Sequence, residues 1–224
     1  MADQPLGDPS SDPLGPEDEV EGAEPPADAQ PARRRPKPGE RRVQILHTLA
    51  QMLEQPGAER ITTAGLAAKL EVSEAALYRH FASKAQMFEG LIEFIESSVF
   101  TLVNQVQQRD LAAREQARLM LTVLLQFAEK NPGMSRVMAG DALVFENERL
   151  TARMNQFFDR FESQLRQALK SAGDADGSAT PTADAQARAS VVASFALGRI
   201  QRFARSGFKR VPTEHLDAAL AQLI

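Results

Sequence analysis

The stretch ITTAGLAAKLEVSEAALYRHFASKAQMF, which spans residues 61–88, decides the fold that we predict for this chain. Hydroxyl side chains stand before three apolar patterns: Thr62 and Thr63 before the first, Ser73 before the second and Ser83 before the third. Such a hydroxyl accepts a hydrogen bond from a free backbone N–H, so each of these residues favours a helix start. The stretch therefore predicts two short helices joined by a tight turn and followed by a longer helix.

Another amphipathic helix stands in front of these. Between residues 41 and 55, apolar residues recur at spacings of three and four, the period of one helix face. Three small helices with a tight turn before the last form a helix-turn-helix, whose last helix enters the major groove of DNA. Leu77 and Phe81 seat that helix on the other two and leave its opposite face for DNA. The alternative is a three-helix packing element whose polar side chains only face water.

The residues that this arrangement offers to DNA lie in the first helix, at the helix starts and on the outer face of the recognition helix. Its side chains carry donors for phosphates or bases, small alanines permit close approach, and free N–H groups at helix starts suit phosphate. The predicted DNA-binding residues are Arg41, Arg42, Thr62, Thr63, Ser73, Ala75, Tyr78, Arg79, His80 and Lys84.

The remainder of the chain also reads as helical, so the predicted fold class is all-α. Apolar stripes predict helices over about 84–108, 111–130, 143–170, 184–208 and 213–223, with a short helical piece after KNPG and a polar loop over 171–182. No internal repeat is present.

Two surfaces of these helices leave alternatives open. Phe94 falls beside charged positions rather than on the apolar stripe of its helix. It is either an anchor for a partner, where aromatic side chains are favoured, or a contact with another helix of the same chain. The stripe over 191–203 is either core or a two-fold interface, and we favour a homodimer because two recognition helices one turn of DNA apart require one.

Charged residues are unevenly distributed along the chain. Residues 1–32 hold nine Asp or Glu and no Lys or Arg, so the net charge of −4 for the whole chain becomes +5 for residues 33–224. This tail has the composition of a disordered segment, and it is either a solubilising extension or a competitor with DNA for basic surface. It ends in a basic arm, ARRRPKPGERR, that suits phosphate.

The predicted domains follow from these composition shifts. They are an acidic, Pro-rich tail ending in the basic arm over 1–38, a DNA-binding domain over 39–99 with its helix-turn-helix at 62–81, and a helical dimerisation and partner-binding domain over 100–224.

Several classes of function are excluded or disfavoured. The chain has no cysteine, its three histidines lie far apart, and no glycine-rich phosphate loop follows a strand. We therefore predict no enzyme, no catalytic residue, no cofactor and no metal site. No apolar run approaches the roughly 18 residues of a membrane span, which predicts a cytoplasmic protein.

The stretch over 61–88 resembles the DNA-binding segment of TetR-type regulators, in which the helix of LYRHF is the recognition helix. A narrower resemblance covers the chain from about Gly39 to its end. The segments GLIEFIE, FAEKNPGMSRVMAGDALVFENERLTARMNQFF, ESQLRQALK and RFARSGFKRVPTEHLDA resemble the SlmA family of nucleoid occlusion factors.

That resemblance implies a TetR-like head, a helical dimerisation bundle and a nucleoid-associated protein that inhibits septum formation. It implies a homodimer on a palindromic site in double-stranded DNA, with one or several dimers per site, and a second partner, the C-terminal tail of FtsZ. The FtsZ-binding residues that it implies are Phe94, Val123, Gln126, Lys130 and Asn131.

The chain departs from the family's pattern in places that bear on both partners. The family has lysine at the position of Gly65, glycine at Glu71, arginine at Leu102 and glycine at Gln126. Two other functions stay open: a TetR-type repressor that a small-molecule effector releases from DNA, and a chromosome-coating protein without a division partner.

Overall fold

The structure is a computed structural model that describes residues 39–55 and 60–224. Over these residues the chain is all-helical and contains no strand, which confirms the predicted fold class. The helices are α1 (Glu40–Leu53), α2 (Thr63–Lys69), α3 (Glu74–Tyr78), α4 (Lys84–Gln107), α5 (Ala113–Lys130), α6 (Pro132–Met138), α7 (Glu148–Ala175), α8 (Pro181–Arg205) and α9 (Leu216–Leu223), with a 3₁₀ turn at Asp141–Leu143 before α7. The predicted acidic tail and most of the basic arm lie outside the described residues.

The head consists of α1, α2 and α3, and its helix starts are those that the hydroxyl residues predicted. The Oγ1 atom of Thr62 accepts from the Gly65 N–H at 3.1 Å, and the Oγ atom of Ser73 accepts from the Ala76 N–H at 3.3 Å. Glu71, in the turn between α2 and α3, has a φ of +53°. A left-handed backbone costs a residue with a side chain on the order of 1 kcal/mol, so this turn carries strain that glycine would avoid.

α4 joins the head to the rest of the protein without a break. It begins directly after its cap, Ser83, whose Oγ atom accepts from the Gln86 N–H at 3.2 Å. It then runs for 24 residues, about 36 Å at 1.5 Å per residue. The predicted domain boundary at 99/100 falls inside this helix, so the two predicted domains share α4 instead of meeting at a linker.

A close approach between α1 and α6 fixes the head against the body. A Cβ atom added to Gly133 would lie 2.1 Å from the Ala50 carbonyl oxygen. Only glycine permits this distance, because contacts of that length do not occur between a Cβ atom and a backbone oxygen. Gly133 and Ala50 are both buried, so the two backbones meet in the interior.

Three ion pairs tie α4 to the segment that starts α7. Lys84 pairs with Glu146, Arg149 with Glu89 at 2.8 Å, and Arg153 with Glu96 through two bonds of 3.0 and 2.6 Å. The bidentate hydrogen bonding with Glu96 raises the pKa of Arg153 above its usual value. The pairs recur along α4 at intervals of five and seven residues, so they fasten that helix over more than its first half.

The body is built from α5 to α9, and here two sequence predictions are wrong. The helix predicted from residue 143 begins at Glu148, because Asn147 caps it by accepting from the Arg149 N–H at 3.1 Å. The loop predicted over 171–182 is mostly helix: α7 continues to Ala175 and α8 starts at Pro181. Its small residues let the helices approach, since a Cβ atom at Gly173 would lie 3.3 Å from Pro181.

Within the described residues, no helix combines the length and apolar character needed to cross a membrane.

Candidate nucleic-acid interface and partner surface

The recognition helix α3 is held by its neighbours on the inner side and open on the outer side. Leu77 and Phe81 are each 1% exposed, as the sequence predicted for the seating residues. Ala75, Arg79 and His80 are exposed, and the Tyr78 side chain is 45% exposed. The outer face therefore combines a small residue with three side chains that carry hydrogen-bond donors, as an element that enters a groove requires.

A side-chain bond links α2 to α3. The Thr63 hydroxyl donates to the Glu74 Oε2 atom at 2.6 Å. Thr62 and Ser73 use their hydroxyls as helix caps, so these three predicted DNA ligands have structural tasks in the described state. Both caps leave exposed helix starts whose first N–H groups suit phosphate.

Arg42 also has a structural task. Its Nη1 atom donates to the His80 carbonyl oxygen at 3.0 Å, and its guanidinium carbon lies 4.1 Å from the centre of the Phe81 ring. It thus satisfies a carbonyl just beyond α3 while it stacks on the residue that seats α3. Arg41 instead reaches only along its own helix, donating to Gln44 at 2.8 Å.

We expect Arg42→Ala to weaken DNA binding about tenfold through loss of the His80 bond and the Phe81 contact, while the slope of log affinity against log salt stays unchanged. Arg41→Ala is the matched control and should lower that slope by about one per protomer, as a lost phosphate contact does. Fluorescence anisotropy over 50–300 mM salt measures both slopes. A slope reduced by about one in Arg42→Ala would make Arg42 a phosphate ligand instead.

Lys84 differs from the other predicted DNA ligands because its ammonium group forms an ion pair with a carboxylate of the same chain. Its ammonium pairs with Glu146, 62 residues away in sequence, and both side chains are partly buried. The described state thus presents Lys84 to the body of the protein. A phosphate contact by Lys84 would require this pair to open.

The surface between α4 and α5 gathers most of the predicted partner residues. We define the Phe94 surface as Phe94, Val123, Gln126, Phe127 and Lys130. Phe94 is 47% exposed, and its ring centre lies 6.4 Å from that of Phe127. The contact with another helix of the same chain is thus present, the rest of the Phe94 ring is exposed to solvent, and its role as an anchor for a partner stays a prediction.

The other members share one face of α5. Val123, Gln126, Phe127 and Lys130 follow at helical spacings of three and four. Val123 is half-buried, and Gln126 and Lys130 are exposed. Phe127 is only 8% exposed and supports Phe94 from within the core. It was not predicted from the sequence, although its spacing from Val123 was a signal that could have found it.

Asn131, also predicted to bind the partner, stands at the end of this face. Its Nδ2 atom donates to the Phe127 carbonyl oxygen at 2.7 Å, so the amide closes the end of α5. The Oδ1 atom of Asn131 remains as the side-chain group that could accept a hydrogen bond from a partner. Lys130 is the cationic residue nearest in sequence to Phe127.

A further exposed apolar side chain lies on α8. Val191 is 56% exposed, whereas Val192, Ala196 and Ile200 are buried. The predicted stripe over 191–203 therefore divides: most of it is core, and Val191 lies on the outer side. This outer side is the part available to a dimer.

Comparison with known proteins gives the family. The model of the SlmA-like C-terminal domain, described as Tetracyclin repressor-like, matches residues 113–224, and that of tetR-family bacterial regulatory proteins matches residues 45–91. The nucleoid occlusion factor SlmA of Vibrio atlanticus is 50% identical over 184 residues, which cover 82% of this chain and 93% of that protein. The chain belongs to the SlmA family of nucleoid occlusion factors. SlmA of Vibrio vulnificus agrees, at 49% identity over 84% of this chain and 95% of its own.

Comparison with solved structures identifies the fold of this chain. The fatty acid degradation regulator FadR from Bacillus halodurans matches with a TM-score of 0.69 at 14% identity, over 83% of this chain and 95% of FadR. A TetR-like transcriptional regulator from Rhodococcus matches with a TM-score of 0.64 at 19% identity, over 81% of this chain and 94% of that regulator. The TetR-like fold and the nucleoid occlusion family predicted from the sequence are thereby confirmed. Family and fold together support DNA binding and dimer formation.

Proposed function

We propose that this SlmA-family protein binds palindromic chromosomal DNA as a dimer and there inhibits assembly of the FtsZ ring by holding the FtsZ C-terminal tail on the Phe94 surface. The recognition helix α3 would read the major groove through Ala75, Tyr78, Arg79 and His80. Residues 39–99 would serve as the DNA-binding domain, and residues 100–224 would supply the dimer and most of the partner contacts.

The exposure of Phe94 is the observation that supports the proposed binding of the FtsZ tail. A phenylalanine that shows 47% of its surface beside a second aromatic ring, with a cation at the end of the same helix face, suits a short peptide. The exposed ring of Phe94, supported by the buried Phe127, would contact an apolar side chain of the tail, and Lys130 would bind a carboxylate. Gln126 supplies an amide where the family has glycine.

DNA and FtsZ would cooperate through local concentration. Each dimer would carry two Phe94 surfaces, and several dimers on one site would carry more. A polymer with many tails would then be held by many weak contacts at once, which raises the overall affinity without strengthening any single contact. Inhibition of FtsZ polymers would accordingly be stronger with specific DNA than without it.

The test is fluorescence anisotropy of a labelled FtsZ C-terminal peptide titrated with the protein, with and without palindromic DNA. We expect saturable binding that Phe94→Ala weakens at least about tenfold, the loss typical of a central apolar anchor. Phe145→Ala is the matched control, because Phe145 is 66% exposed but lies outside the Phe94 surface.

Two results would contradict the proposal. Unchanged affinity in Phe94→Ala would remove the Phe94 surface from the function, and absence of tail binding with and without DNA would remove the partner. An effector-gated repressor would then be the better account. The likeness to solved regulators shows the fold alone, so a small molecule that releases the protein from DNA is the evidence that this alternative needs.

A further inference from the structure

A second exposed apolar feature lies between α6 and α7, outside the Phe94 surface. Val144 is 68% exposed and Phe145 is 66% exposed, adjacent in sequence. The chain on both sides is held firmly: Leu143 is 2% exposed, and Glu146 pairs with Lys84. Two large apolar side chains are thus presented to solvent from a fixed backbone, a pattern that marks interaction sites.

These side chains form one wall of an open cleft of about 470 Å³, which we call the Phe145 cleft. The rest of the lining comes from Ala204, Arg205 and Gly207, at the end of α8 and just after it, and from Arg136 and Asp141. A volume of this size accommodates a few side chains of a peptide.

The charge around the cleft is predominantly positive. Arg205 is 67% exposed, and its Nη2 atom lies 3.7 Å from the Asp141 Oδ1 atom, too far for a hydrogen bond. Arg136 lies 5.3 Å from the centre of the Phe208 ring, and its Nε atom is buried without a hydrogen-bond partner among the described residues. Arg60 stands 5.6 Å from the centre of the Phe145 ring. Two arginines, Arg136 and Arg205, and one carboxylate, that of Asp141, therefore line the cleft, and a third arginine, Arg60, lies against the Phe145 ring.

We propose that the Phe145 cleft is a second docking site, which takes an acidic peptide segment of a protein partner. An apolar side chain of the segment sits between Val144 and Phe145, and a carboxylate forms the paired hydrogen bonds that the Arg205 guanidinium offers. Charge complementarity selects this occupant, because the cleft is lined by more arginines than carboxylates and an uncharged apolar segment would leave that excess positive charge unbalanced. The site is independent of the Phe94 surface and of the proposed binding of FtsZ there.

The test uses a fluorescein-labelled peptide, Asp-Glu-Leu-Asp-Glu-Phe-Asp-Glu, and the full chain. One comparison peptide replaces every acid by its amide, and the other replaces Leu and Phe by Ser. We expect saturable binding of the first peptide alone. Phe145→Ala and Arg205→Glu should each weaken it at least about tenfold. Both side chains are largely exposed, so thermal midpoints should be unchanged.

Phe94→Ala is the matched control and should bind the acidic peptide normally while losing the FtsZ tail. Each proposal can therefore fail without the other. Equal binding of the amide peptide, no saturable binding of the acidic one, or unchanged affinity in both cleft variants would overturn the Phe145 cleft. So would a shift to monomers in sedimentation of Phe145→Ser, which would mean that a second copy of the chain covers this face.

Discussion

Replacing Ala75 by glutamate is expected to reduce DNA affinity at least about 100-fold. Ala75 is exposed near the start of α3, the proposed recognition helix, where its small side chain would permit close approach to the duplex. Glutamate would place a longer side chain and a negative charge among phosphates and base edges, with one copy in each protomer of a dimer. Loss of close approach affects every contact of the helix at once, so the effect exceeds that of one missing phosphate contact.

Ala152→Glu is the matched control, because Ala152 is an exposed alanine on α7 and the substitution changes the net charge equally. It should bind DNA within about twofold of the unaltered protein. Anisotropy at one salt concentration measures both variants, and the FtsZ tail should bind both normally. If Ala75→Glu kept its DNA affinity, α3 would not be the element that enters the groove.

Gly133→Ala is expected to destabilise the protein by about 2–3 kcal/mol, at the upper end of overpacking effects. The added Cβ atom would stand 2.1 Å from the Ala50 carbonyl oxygen, and backbone on both sides has to move to relieve it. Because Ala50 belongs to α1, the shift would also displace the head. We therefore expect a lower thermal midpoint together with weaker binding to a palindromic site.

Gly198→Ala separates this contact from the general effect of removing a helical glycine. Among the described residues, a Cβ atom at Gly198 would meet nothing within 4 Å beyond its chain neighbours and the backbone of its own helix, and alanine is the better helix former by about 1 kcal/mol. Thermal unfolding of the two variants side by side should give opposite shifts. Equal destabilisation would show that the approach of α1 to α6 is not what the glycine serves.

Local signals in the sequence predicted the head well. The hydroxyls of Thr62, Ser73 and Ser83 each cap the helix expected of them, because capping depends on residues three positions apart. The left-handed backbone at Glu71 instead agrees with the glycine that the family resemblance implies at this position. The exposure of Phe94 followed from its position off the apolar stripe, which is again a property of one helix.

Contacts between distant parts of the chain could not be predicted. Nothing near Lys84 in sequence points to Glu146, and nothing near Arg42 points to the His80 carbonyl. The end of α7 was misjudged because small polar residues that favour loops are also those that permit close helix packing, as at Gly173. The start of α7 was a missed local signal, since Asn147 is a strong capping residue.

The continuity of α4 sets the distance over which the protein can act. Phe94 follows Lys84 by ten residues, about 15 Å along an unbroken helix, and Lys84 comes shortly after the recognition helix. With no hinge in this stretch, a captured tail would be tethered close to the chromosome at a fixed spacing. The zone of inhibition would then extend outward only as far as the tail of the partner itself can stretch, so the length of that tail, and not any flexibility of this protein, would define how near to DNA a division ring can form.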